Sequence, residues 1–174
     1  MCLVKPIPGR AWRRPTSTRR NSSGKKPFNF GGTLYEAGKS GEALAIYRRL
    51  ASSRPDDPDA LNDVAYMLCE TGGNLDEALK FAQRAVQKSP EQAGFVDTLG
   101  WVYLKKGMTD TAVQLFGNAA QKDPENATFR YHLGVALLQK GEKHKARTEL
   151  QAALAKKPQQ ADEKKIRELL AGIS

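Results

Sequence analysis

Four prolines, Pro55, Pro90, Pro124 and Pro158, stand 35, 34 and 34 residues apart. Ala43, Ala78, Ala112 and Ala146 keep the same three intervals. A third series of small residues, Gly31, Ala65, Gly100 and Gly134, recurs at 34, 35 and 34. Three residue series agreeing on one interval constrain the chain more than any other feature it has. A unit of that size cannot bury its apolar face alone, so copies must stack on one another. The one odd residue falls between Ala65 and Ala78, where Gly72-Gly73-Asn74 supplies a turn able to absorb it.

Each unit reads as two helices. In the third they are AGFVDTLGWVYLKKG and TDTAVQLFGNAAQKDP, and in the fourth ATFRYHLGVALLQKG and EKHKARTELQAALAKKP. Gly107 and Gly141 stand where a helix ends in the left-handed conformation that glycine adopts without strain. Pro90, Pro124 and Pro158 stop the second helices, since proline cannot continue one. Gly100 or Gly134 on one helix, with Ala112 or Ala146 on the next, would let the two helices approach closely. No segment alternates as a strand would.

Leu-Gly, then an aromatic or apolar residue, then Ala, Phe or Tyr, Ala and Pro in a 34-residue helix pair resembles the tetratricopeptide repeat. The third unit carries Leu99-Gly100, Tyr103, Ala112, Phe116, Ala119 and Pro124, and the fourth Leu133-Gly134, Leu137, Ala146, Leu150, Ala153 and Pro158. The second has Val64-Ala65, Leu68, Ala78, Ala85 and Pro90. The first is degenerate, with Phe30-Gly31, Leu34, Ala43, Tyr47 and Pro55. The resemblance implies an all-α, right-handed superhelical solenoid of antiparallel helix pairs. Its expected parts are a degenerate repeat over 28–57, repeats over 58–91, 92–125 and 126–159, and a capping helix over 160–174. Ile166, Leu169, Leu170 and Ile173 form one apolar stripe on that last helix.

The stretch DTLGWVYLKKG has more apolar residues than one buried stripe can use. In tetratricopeptide arrays the first helices line a concave groove, and the residues two before the key Leu, two after it and five after it point inward. By that resemblance the groove takes Asn62, Tyr66 and Cys69, then Asp97, Trp101 and Leu104, then Tyr131, Val135 and Leu138. Tyr66, Trp101 and Tyr131 would make an aromatic ladder for an apolar peptide or an amphipathic helix of a protein partner. The competing reading packs Trp101 sideways onto the second unit. Chaperone-binding members of the family hold a C-terminal carboxylate with Lys, Arg and Asn here. Only Asn62 fits that set, so acidic-tail recognition is not expected. Similar Asp-Thr-Leu-Gly-Trp helices occur in tetratricopeptide proteins of Gram-negative envelope and exopolysaccharide systems.

The net charge of +9 is a property of one end. Residues 1–27 hold 8 Lys and Arg and no acid, leaving 20 positive against 19 negative residues over 28–174. With Pro6, Pro8, Pro15 and Pro27 among Ser, Thr and Arg, this basic tail is expected to be disordered. It could associate with nucleic acid or another anionic surface, act as a transit peptide, or be a dispensable leader. Trp12 is its single stacking group. No apolar run approaches the roughly 18 residues of a membrane span, and no signal peptide is readable, so the setting is open between cytoplasm and bacterial envelope. Cys2, Cys69, His132 and His144 fit no metal-ligand spacing. His132 reads as a polar surface or edge residue. Asp76 and Glu77 suit a helix start better than an acid–base pair. The sequence thus points to a non-catalytic adaptor or scaffold with no cofactor and no metal.

Overall fold

The computed structural model describes Leu34 and residues 37–173 of the 174. The expectations for the basic tail and for Phe30-Gly31 lie outside the described residues. Those residues form eight α-helices and no strand: α1 (Ser40–Ser53), α2 (Pro58–Glu70), α3 (Leu75–Lys88), α4 (Ala93–Lys105), α5 (Thr109–Lys122), α6 (Ala127–Lys140), α7 (Lys143–Ala155) and α8 (Gln160–Ala171). The chain is an all-α solenoid. α2 packs on α3, α4 on α5 and α6 on α7, while α2 touches α4 and α4 touches α6. The first helices of successive units therefore stand side by side.

Local chemistry explains the helix ends. Asp57, Asn74 and Asn126 accept backbone N–H donors at the starts of α2, α3 and α6, and Pro58 opens α2 where its missing donor costs nothing. Gly38, Gly72, Gly107 and Gly141 all have positive φ, between 68° and 88°. They mark the turn of each helix pair at the repeat interval. The extra residue of the second unit sits where the sequence placed it. Four residues, Thr71–Asn74, join α2 to α3, against three between α4 and α5.

The small residues have the expected role with a different partner. Ala43, Ala78, Ala112 and Ala146 are fully buried. Yet what lies over the glycines is the large residue one turn further along the second helix. A Cβ on Gly100 would fall 2.9 Å from the Phe116 ring, and one on Gly134 would fall 2.7 Å from Leu150. Phe116 and Leu150 are fully buried in these contacts. At the far end, Ile166 and Ile173 join Tyr131, Leu150 and Ala153 in one cluster, so α8 covers the open side of the α6–α7 pair.

Exposed ion pairs follow the repeat as well. Lys88 reaches Asp56 at 2.6 Å, Lys122 reaches Glu91 at 2.9 Å, and Lys156 pairs with Glu125. A second series pairs Lys106 with Asp76, and Lys140 with Asp110 at 2.8 Å. The lysine hydrogen bonds hold the Asp56 and Asp76 carboxyls below the usual carboxylate range. Pairs this exposed contribute little to stability. They bridge neighbouring units without holding them together.

Two glycine substitutions separate close approach from ordinary helix propensity. Gly134→Ala is expected to cost about 1–3 kcal/mol through overpacking against Leu150. Gly117→Ala, in mid-α5 with nothing within 4 Å of the new Cβ, is expected to stabilise by about 0.5–1 kcal/mol. Urea denaturation of both variants beside the parent checks this.

Candidate functional site

The row of first helices carries all nine residues assigned to the groove, Cys69 on α2 among them. Asn62 and Tyr66 lie on α2, Asp97, Trp101 and Leu104 on α4, and Tyr131, Val135 and Leu138 on α6. The structure packs them more closely than an open ladder would be. Asn62, Tyr66, Asp97, Leu104 and Tyr131 are buried, and Trp101 is only 8% exposed. Val135 and Leu138 are half-buried, and with Tyr131 they pack against the cluster formed with α8.

Trp101 is the centre of this seam. Its indole Nε1 donates to Glu70 Oε1 at 2.8 Å, which ties α4 to the end of α2. Its ring lies 4.6 Å from the His132 imidazole and 6.3 Å from the Phe116 ring, centroid to centroid. The Lys105 ammonium sits 5.3 Å over the indole, within reach of the ring quadrupole. The sideways packing of Trp101 is therefore present, directed at both neighbouring units, and it leaves the residue almost wholly covered.

His132 corrects the sequence reading. It is a buried residue, 2% exposed, and its Nδ1 lies 2.8 Å and 2.9 Å from the two oxygens of Asp97. The Phe116 and Tyr131 rings flank it at 5.4 Å and 5.5 Å. A lone histidine in a helix gives no hint of this. The signal was positional. His132 directly precedes Leu133-Gly134, as Thr98 precedes Leu99-Gly100, and in the fourth unit this place meets the first helix of the preceding unit. Thr98 satisfies its hydroxyl within its own helix, on Gly94 O. His132 instead reaches back to Asp97.

Polar groups are concentrated on this row. Of the six buried polar or charged residues among those described, Asn62, Asp63, Asp97, Thr98 and His132 lie on first helices, and the sixth is Asp162 on α8. The Asn62 side-chain oxygen is buried with no hydrogen-bond partner among the described residues. Cys69 is also buried here, and burial pushes its thiol up to about 12, which makes it inert at neutral pH. Among the described residues no three His, Cys, Asp or Glu side chains converge as a metal site requires. No described helix is long and apolar enough to cross a membrane.

Truncating His132 to alanine should strand the Asp97 carboxylate in a nearly closed site. The expected cost is about 3–5 kcal/mol, larger than a surface histidine could produce. Denaturant titration of His132→Ala beside the exposed control His144→Ala measures the difference.

Two family models, both of the tetratricopeptide repeat, match the chain, over residues 28–93 and 103–172. Among solved structures, TTC0263, a thermophilic TPR protein in Thermus thermophilus, is similar at 27% identity and a TM-score of 0.73, over 82% of this chain and 77% of that one. MamA from Desulfovibrio magneticus aligns at 21% identity and a TM-score of 0.64, over 83% and 80%. The type III secretion translocator chaperone SycD of Yersinia enterocolitica aligns at 24% identity and 0.60, over 66% and 81%. No curated protein sequence matches the chain.

Proposed function

The chain belongs to the tetratricopeptide repeat family, and from that premise we propose that it is a non-catalytic scaffold that binds a peptide or helical segment of a protein partner along the α2–α4–α6 row. Asn62 and Asp97 would give polar register. The small exposed parts of Trp101 and Leu104, with Val135 and Leu138, would give apolar contact, flanked by Tyr66 and Tyr131.

The observation carrying this reading is the distribution of buried polar groups. The second helices α3, α5 and α7 bury only apolar side chains, chiefly alanine with Phe116 and Leu150. The first helices bury an amide, two aspartates, a threonine and a histidine in similar surroundings. Apolar residues of like volume would serve stability as well or better. A buried acceptor without a donor, as Asn62 is among the described residues, costs roughly 1–3 kcal/mol. A partner that donates a hydrogen bond there recovers part of that cost on binding. A face built this way is suited to recognition more than to closure.

A peptide-display selection on the whole chain tests the reading. Selected peptides should lose about tenfold or more in affinity for Asn62→Ala and for Val135→Lys, a loss in the range of hot-spot truncations. They should bind Gln114→Lys, altered on the exposed side of α5, within about twofold of the parent. Peptides that respond to Gln114→Lys and ignore the other two would place recognition on the second helices and overturn the proposal. Circular dichroism confirms that each variant is folded.

A further inference from the structure

Charge is spread unevenly along the repeats. Residues 28–125 hold 10 Lys and Arg against 14 Asp and Glu, whereas residues 126–174 hold 10 against 5. The last unit and its cover are therefore basic, and the units before them acidic. A field of that sign draws anions to one end of the solenoid.

Part of the excess gathers at one place. Between the start of α7 and the end of α8 lies an open cleft of about 730 Å³, lined by Glu142, Lys143, His144, Lys145, Arg147 and Ile173. The side chains at 143, 144, 145 and 147 are all exposed. Glu142 is already engaged, by Lys140 at 2.9 Å and by Lys145 at 2.7 Å. Arg147 donates through Nη2 to the carbonyl oxygen of Ile173, which ties the end of α8 to α7. Lys143, His144 and Arg147 have no carboxylate partner among the described residues.

The earlier units show what this place does elsewhere in the fold. Asp76, Asp110 and His144 follow one another at 34 residues. Asp76 pairs with Lys106, and Asp110 with Lys140 at 2.8 Å, each lysine standing at the end of the next unit's first helix. Arg147 stands where the second and third units have Leu79 and Val113, which pack half-buried against the main core cluster. An acid and an apolar residue thus receive the following unit inside the array. In the last unit both are exchanged for basic residues, and the last turn of α8 carries no lysine or arginine. What fits there is a segment with the opposite charge to the one the inner units accept. A carboxylate would meet unpaired cations, one of them a guanidinium that can bind it through two parallel hydrogen bonds. Glu142 in the wall opposes an unbroken track of phosphates and suits separate carboxylates that can be placed around it.

We infer that the cleft between α7 and α8 is a docking site for a protein segment bearing two or three carboxylates, held by Lys143, His144 and Arg147. It uses none of the residues of the α2–α4–α6 row, so it stands or falls separately from the function proposed for that row.

The test maps amide shifts by NMR on the whole isotope-labelled chain while an acetylated, amidated hexaglutamate peptide is added, with hexaglutamine as the uncharged control. Hexaglutamate should shift residues 141–147, 172 and 173 saturably, and hexaglutamine should not. The response at these amides should disappear in about 0.5 M salt. Combining Lys143→Gln, His144→Gln and Arg147→Gln should weaken it by about tenfold, while Lys164→Gln, on the exposed side of α8, should leave it within about twofold. Circular dichroism confirms that each variant is folded. No shift at the cleft, shifts confined to residues 1–27, or a cleft response that survives the combined variant would overturn the inference. Equal shifts from inorganic pyrophosphate at the same concentration would make the cleft a small-anion site instead. Displacement of hexaglutamate from these amides by a lower concentration of double-stranded DNA oligonucleotide would assign it to nucleic acid, and either result contradicts the proposal.

Discussion

The architecture depends on two missing Cβ atoms. At Gly100 and Gly134 the backbone of a first helix comes so close to Phe116 and Leu150 that a methyl group would overlap them. That approach fixes how far apart the two helices of a unit stand. Packing of α3 on α4 and of α5 on α6 then sets how far one first helix lies from the next. Alanines at 112 and 146 close the same contact from the other side and are fully buried. The second unit solves the problem with Ala65, itself fully buried. Dispersion between close-packed side chains, rather than the exposed lysine–carboxylate pairs along the rim, is what such contacts contribute to stability.

With that spacing set, side chains on neighbouring first helices must meet. The contact between α4 and α6 is where Asp97 and His132 find one another, with Trp101 stacked on the imidazole and bonded to Glu70 on α2. One polar seam therefore passes through three successive units. Its groups are nearly all buried, so each needs a partner. Asp97, His132 and Trp101 have theirs within the seam, whereas the Asn62 oxygen has none among the described residues. Under the proposed function, a partner segment would supply a donor there.

The repeat was legible because periodicity needs no three-dimensional information. Three residue series located the units, the turn that absorbs Gly73, and the glycines that end α4 and α6. The stripe Ile166, Leu169, Leu170 and Ile173 likewise announced α8 as a cover, since an amphipathic helix after the last unit has one open surface to close. What the sequence hid were contacts between units. Asp97 and His132 are 35 residues apart, and Lys122 and Glu91 are 31 apart. Neither separation has meaning until the offset of one unit on the next is known. The same offset decides that Trp101 lies between neighbouring units rather than open to solvent, and that Tyr131 packs beneath α8. Family resemblance supplies the direction in which a position points. The side chains on the adjacent helix decide how much of it stays exposed.

The account's central claim is that the buried polar groups of the first helices are kept for recognition and not for stability. The most direct measurement replaces Asn62, Asp97 and His132 together by leucine. Denaturation midpoint and peptide affinity are then read on the same sample. The account predicts a midpoint at or above that of the parent, together with loss of peptide binding by about tenfold or more. A variant that unfolds more easily while binding its peptides unchanged would contradict it, and would make the seam a structural device alone.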